Sequence, residues 1–135
     1  MAKNKTDKPP PVAVAILDTH WLIREAIACW LKDRGGYEAV WKGGSQAELG
    51  EALESGLQVK LVLVAVAKDE DEGYLAVRWL RKEWPGLCCA AYAHRHDELT
   101  RLRVYRKGAQ ALLCEMVEQD AVLSALGTAL AGGVF

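Results

Sequence analysis

The sequence predicts a doubly wound α/β domain in which five parallel strands carry helices on both faces. Three observations predict it. Short apolar runs alternate with amphipathic stretches five times along the chain. Val12 to Leu17 and Leu61 to Val66 are apolar throughout rather than at every second residue, as suits strands covered on both faces. The length of 135 residues suits one domain.

Val12 to Leu17 is the first such run. A helix follows over about His20 to Asp33, with Leu22, Ile23, Ala26, Ile27, Trp30 and Leu31 at helical spacing and Gly35-Gly36 as its stop. Tyr37 to Lys42 is the second strand. Ser45 caps the next helix, with Glu48 as its capping-box partner, and Gly56 closes it. Leu61 to Val66 reads Leu-Val-Leu-Val-Ala-Val, without a polar side-chain atom, and belongs at the sheet centre. An acidic loop, Lys68 to Glu72, leads into a helix from Gly73 to about Trp84, which Pro85-Gly86 stops. Leu87 to Tyr92 is the fourth strand. Asp97 caps a helix that ends at Gly108. Ala111 to Leu113 is a short fifth strand. Glu118 to about Ala131 is the last helix, with Val122, Ala125, Leu126, Ala129 and Leu130 on one face. Right-handed crossovers then favour the flavodoxin-like (βα)5 strand order 2-1-3-4-5.

Composition narrows the function classes. Net charge is −1 and 51% of residues are hydrophobic, so bulk charge advertises neither nucleic acid nor a membrane surface. No apolar run reaches the roughly 20 residues needed to span a bilayer. Residues 1–11 are polar, end in Pro9-Pro10-Pro11, lack the apolar core of a secretion signal, and read as a disordered tail before a domain over 12–135. The four cysteines, Cys29, Cys88, Cys89 and Cys114, form no CxxC pair. They read as small hydrophobes in a reducing cytosol, with Cys88 and Cys89 on opposite faces of their strand. A cytoplasmic protein is expected.

In this fold the functional crevice lies at the carboxyl ends of the strands. It collects Asp18, Thr19 and His20; 67–72; 93–96; and Cys114 and Glu115. No Gly-rich phosphate cradle and no GxSxG elbow follows any strand. A Cys114–His94 nucleophile pair has no local support. An enzyme is therefore not expected.

Ile16-Leu17-Asp18-Thr19-His20-Trp21-Leu22-Ile23-Arg24-Glu25 resembles the opening of response-regulator receiver domains (CheY-like) in the subfamily with LuxR-type DNA-binding domains, also called NarL-like. Arg106-Lys107-Gly108-Ala109-Gln110-Ala111-Leu112-Leu113 is similar to that family's Gly-Ala signature, and Ala131 to Phe135 to its passage into a linker. The resemblance covers Val12 to Phe135 and implies a two-component phosphorelay module controlling transcription. It also implies that DNA contact belongs to a C-terminal domain beyond Phe135.

Position by position the resemblance implies loss. The phosphoacceptor Asp falls on Ala65. Of the acidic pair that holds Mg²⁺, Asp18 is kept and the other position is Thr19. The switch Thr or Ser falls on Ala93, the switch aromatic on Leu112, and the phosphate-pairing Lys on Glu115 or, with a one-residue shift, Cys114. One carboxylate and a hydroxyl suit Mg²⁺ poorly, so no cofactor is expected and Asp18 is the one residual metal candidate. Asp18 also reads simply as a polar strand end bonded to nearby amides. If Asp18 and Glu115 are close, their repulsion raises one pKa.

A pseudo-receiver acting through a protein partner or as a homodimer is the leading expectation. Its candidate surface is Arg103, Arg106 and Lys107, within about 100° on a helical wheel, together with Trp21. A solvated cationic face is the plainer reading of the three bases, and core packing that of most of the five tryptophans. The alternatives are a phosphoacceptor displaced to Asp69 or Asp71, and a small-ligand sensor using Asp18, His94, Cys114 and Glu115.

Overall fold

The computed structural model describes residues 10–67, 70–93, 97–114 and 119–132, and the Cys114 side chain lies outside this set. Its elements are β1 (Val12–Leu17), α1 (Trp21–Arg34), β2 (Tyr37–Gly43), α2 (Gln46–Glu54), β3 (Leu61–Ala65), α3 (Glu72–Glu83), β4 (Cys88–Ala93), α4 (Glu98–Lys107), β5 (Ala111–Cys114) and α5 (Gln119–Leu130). The strands form one sheet in the order β2-β1-β3-β4-β5, and every pairing is parallel. This is the predicted flavodoxin-like order, with the Leu-Val-Leu-Val-Ala run at its centre.

The pleat divides the core in two. Ala15, Leu17, Val62, Val64, Cys89 and Ala91 face Leu49 and Leu53 of α2, Tyr74, Val77 and Leu80 of α3, and Val104 of α4. Val14, Ile16, Leu61, Leu63, Cys88 and Ala90 face Leu31 of α1 and Ala125, Leu126 and Ala129 of α5. Adjacent Cys88 and Cys89 thus enter opposite layers. Cys29 does not behave as a core hydrophobe, because it lies exposed on α1.

The caps follow the sequence. Ser45 Oγ accepts from the Glu48 N–H at 3.3 Å, and Asp97 Oδ1 accepts from the Thr100 N–H at 2.7 Å. Helix α4 ends at Gly108, whose φ of 104° favours a residue without a Cβ.

One expectation is corrected. Helix α1 buries only Leu31, while Leu22 and Ile23 are exposed. Its apolar stripe is wider than its contact with the sheet. The tryptophans divide as expected: Trp30, Trp41, Trp79 and Trp84 are half-buried and pack against the core, and Trp21 is 64% exposed. The largest wholly buried ring is Tyr74.

A carboxylate pocket at the ends of the central strands

Asp18 follows the last residue of β1 and is only 4% exposed. Its Oδ1 accepts the His20 backbone N–H at 2.8 Å and lies 2.9 Å from His20 Nδ1. Its Oδ2 accepts the Tyr92 hydroxyl at 2.5 Å. Its carbonyl accepts Arg24 Nη1 at 2.7 Å. A Cβ added at Gly44 would lie 3.2 Å from that Nη1 and 3.3 Å from Thr19 Cα. The loop before α2 therefore presses on the loop after β1. The expected bond from Asp18 to a nearby backbone amide is present; the phenol was not foreseen.

Tyr92 reaches Asp18 because of what stands beside it. Ala65 is its register partner on β3, and alternation turns both residues to one side of the sheet. The methyl of Ala65 brings no second carboxylate to that side. Burial, then the bond to Asp18, then the Asp18 charge hold the Tyr92 hydroxyl well above its ordinary pKa, so it remains a donor.

Helix α3 closes over the same strand end. A Cβ on Gly73 would meet the Ala65 carbonyl oxygen at 2.1 Å, so glycine allows the helix to start directly against β3. Beside it, Arg103 of α4 pairs with Asp71 and stacks with its guanidinium carbon 3.9 Å from the Tyr74 ring centre. The basic face expected on α4 is therefore reduced: Arg103 is half-buried and engaged, Lys107 is half-buried, and Arg106 is exposed.

Of the other receiver-type positions, Thr19 is exposed, Ala93 buried and Leu112 half-buried. Ala93 pairs with Cys114 across β4 and β5. Glu115, Asp69 and His94 lie outside the described residues, as does the Cys114 side chain. Among the described residues no three His, Cys, Asp or Glu side chains gather as a metal site. Mg²⁺ is not accommodated by the described pocket. Its buried carboxylate is bonded through both oxygens, and the neighbouring positions offer a methyl at Ala65 and a lone hydroxyl at Thr19.

Tyr92 and Arg24 are the site residues that sequence reasoning missed. Their signal was positional: Tyr92 sits one residue before the expected switch position, and Arg24 lies one helical turn past His20, the N-cap of α1.

Receiver domains of response regulators share this fold. A LuxR-family two-component response regulator from an Aurantimonas species matches with a TM-score of 0.80 at 17% identity, over 93% of this chain and 89% of that one. A LuxR-family DNA-binding response regulator from Silicibacter pomeroyi matches with 0.75 at 23% identity, over 92% and 95%. A pilus assembly-related protein from Burkholderia pseudomallei matches with 0.77 at 19% identity, over 92% of each. At these identities the likeness establishes the fold: the chain has the receiver architecture. No protein-family model and no curated protein matches it.

Proposed function

We propose that this chain is a pseudo-receiver of the LuxR-type response-regulator group: a non-enzymatic cytoplasmic signalling module that acts through protein contacts without accepting a phosphoryl group. The observation that carries this reading is the Tyr92–Asp18 bond beside Ala65. The acceptor position has no nucleophilic oxygen, and among the described residues the one retained carboxylate, bonded to a phenol, has no second carboxylate beside it to complete a Mg²⁺ site. A partner protein or a second copy would be met through helical surfaces such as exposed Trp21 and Arg106. DNA would be met only through a separate domain; the similar Silicibacter pomeroyi protein is named as a DNA-binding response regulator. No helix among the described residues is long and apolar enough to cross a membrane.

An amide NMR titration with Mg²⁺ and then beryllofluoride tests this. No shift around Asp18, Ala65 and Ala93 is expected. Saturable, Mg²⁺-dependent shifts that spread to α4 would replace the reading with a working phosphate switch. The competing acceptor is Asp71, whose side chain is 73% exposed although paired with Arg103. A mass gain with acetyl phosphate that Asp71→Asn abolishes would establish it instead.

A further inference from the structure

Ile23, Ile27 and Trp30 sit on the stripe of α1 that an ordinary amphipathic helix buries against its sheet. None of them is buried. They line a cavity of about 1050 Å³ whose opposite wall includes Val122 and Leu126 of α5 and whose floor includes Leu63 and Leu113. The same space continues to the carboxyl edge of the sheet, where Asp18, Tyr92 and Gly73 border it. We infer that this cavity binds a small organic cation, with a ring-sized apolar body between α1 and α5 and a protonated amine at Asp18.

Size and lining favour a small molecule. Ligand pockets span about 300–1,000 Å³, with mostly apolar walls and a few convergent polar groups. This cavity lies just above that range, so a ring-sized body fits within part of it. Its α1–α5 part supplies the apolar walls, and the Asp18 end supplies the polar groups.

Charge sets the sign of the ligand. Among the described lining residues Asp18, Glu70 and Glu72 are acidic, none is Lys or Arg, and His20 is the one titratable base. An anion would meet a buried carboxylate, and the described cation nearest to it, Arg24, is bonded to the Asp18 carbonyl and does not line the cavity. An ammonium group would meet a partner. Asp18 accepts from Tyr92 O–H, from His20 N–H and at His20 Nδ1. A carboxylate has about four acceptor sites, so one remains for a ligand N–H.

The inference deepens the proposed function, because it supplies an input to a module that takes no phosphoryl group. An occupant would cover the loose stripe of α1 and fix that helix against α5. The exposed Trp21 begins the same helix, so occupancy at the cavity would be read at a surface.

The test is an amide NMR titration of the chain, without Mg²⁺ or beryllofluoride, using two probes with one ring and opposite charge. These are 1-naphthylmethylammonium and 1-naphthylacetate. Leaving out the phosphoryl mimic separates this outcome from that of the beryllofluoride titration. The ammonium probe is expected to saturate, with shifts at Asp18, Ile23, Ile27, Val122 and the Trp30 indole. The acetate probe should bind about tenfold more weakly, as should the ammonium probe to Asp18→Asn. Ala26 lines the cavity from an exposed position, so Ala26→Phe should fold and block both probes. Equal binding of the two probes, shifts confined to Glu70 and Glu72, or undiminished binding to Ala26→Phe would overturn the inference.

Discussion

Tyr92 donates its hydroxyl to Asp18 across 74 residues of sequence, closing a 2.5 Å bond at the ends of β4 and β1. It ties the two strands that flank β3 and spans the strand end at which Ala65 stands. Hydrogen bonds to ionised groups contribute about 1.5–3 kcal/mol. Tyr92→Phe should lose about that much in urea unfolding near neutral pH. An unchanged midpoint would mean that Asp18 finds water in place of the phenol.

Restoring the acceptor carboxylate should cost stability. Ala65→Asp puts a second acid on the side of the sheet shared by Tyr92 and Asp18. Two close carboxylates resist joint ionisation. A loss of about 1–3 kcal/mol is expected at pH 7, shrinking near pH 4 as the new acid protonates. Urea unfolding at both pH values checks this, and equal losses would argue for steric crowding instead.

Gly73→Ala should be among the costliest single-methyl additions in the chain. The new Cβ would lie 2.1 Å from the Ala65 carbonyl oxygen, and main chain cannot swing aside as a side chain can. Overpacking of this kind costs about 1–3 kcal/mol. Gly86→Ala, where a Cβ meets nothing within 4 Å, is the control. Equal melting of the two variants would show that α3 shifts freely.

The Arg103 contacts should prove unequal. Arg103→Ala removes both the stack on buried Tyr74 and the pair with Asp71, and should cost about 1–2 kcal/mol. Asp71→Ala removes only the exposed pair and should cost under about 1 kcal/mol. Denaturant midpoints of the two variants and their combination separate the contributions.

Stability should fall on the alkaline side. Burial, with the neighbouring Cys88, pushes the Cys89 thiol up to about 12 from its ordinary 9.0. Across that window the unfolded chain releases a proton that the folded chain keeps, so unfolding becomes easier as pH rises. Tyr92 is raised in the same direction and adds a decline that begins near its ordinary value of 10.0. Cys89→Ala should flatten the earlier part of the fall and Tyr92→Phe the later part. A flat profile to pH 11 in the parent chain would contradict both shifts.

The fold was legible because β1, β3, β4 and β5 are apolar runs, β2 alternates, and each helix has a chemical stop. Ser45, Asp97 and Gly108 cap as read, and the observed boundaries lie within a residue or two of the expected ones. The packing of α1 was not legible. Periodicity marks Leu22, Ile23, Ile27 and Trp30 as an apolar stripe, but it does not say how closely that stripe meets the sheet. The Asp18 partners were half legible. Local bonds to His20 follow from sequence proximity, whereas the Tyr92 bond depends on the register that sets Tyr92 beside Ala65. Arg103 shows the limit of a helical wheel: it groups Arg103 with Arg106 and Lys107 but cannot see Tyr74 on the neighbouring helix.

The outer strand β2 has one further consequence. Its side chains alternate between half-buried and exposed, with Glu38, Val40 and Lys42 outward. Its register against β1 slips between Val14 and Ala15, where Val40 is passed over. Lys42 is also held by Glu25 of α1 at 2.8 Å. Charges and a bulge are what natural sheets use to deter a foreign strand from adding to an open border. This border is guarded against fibre-like growth.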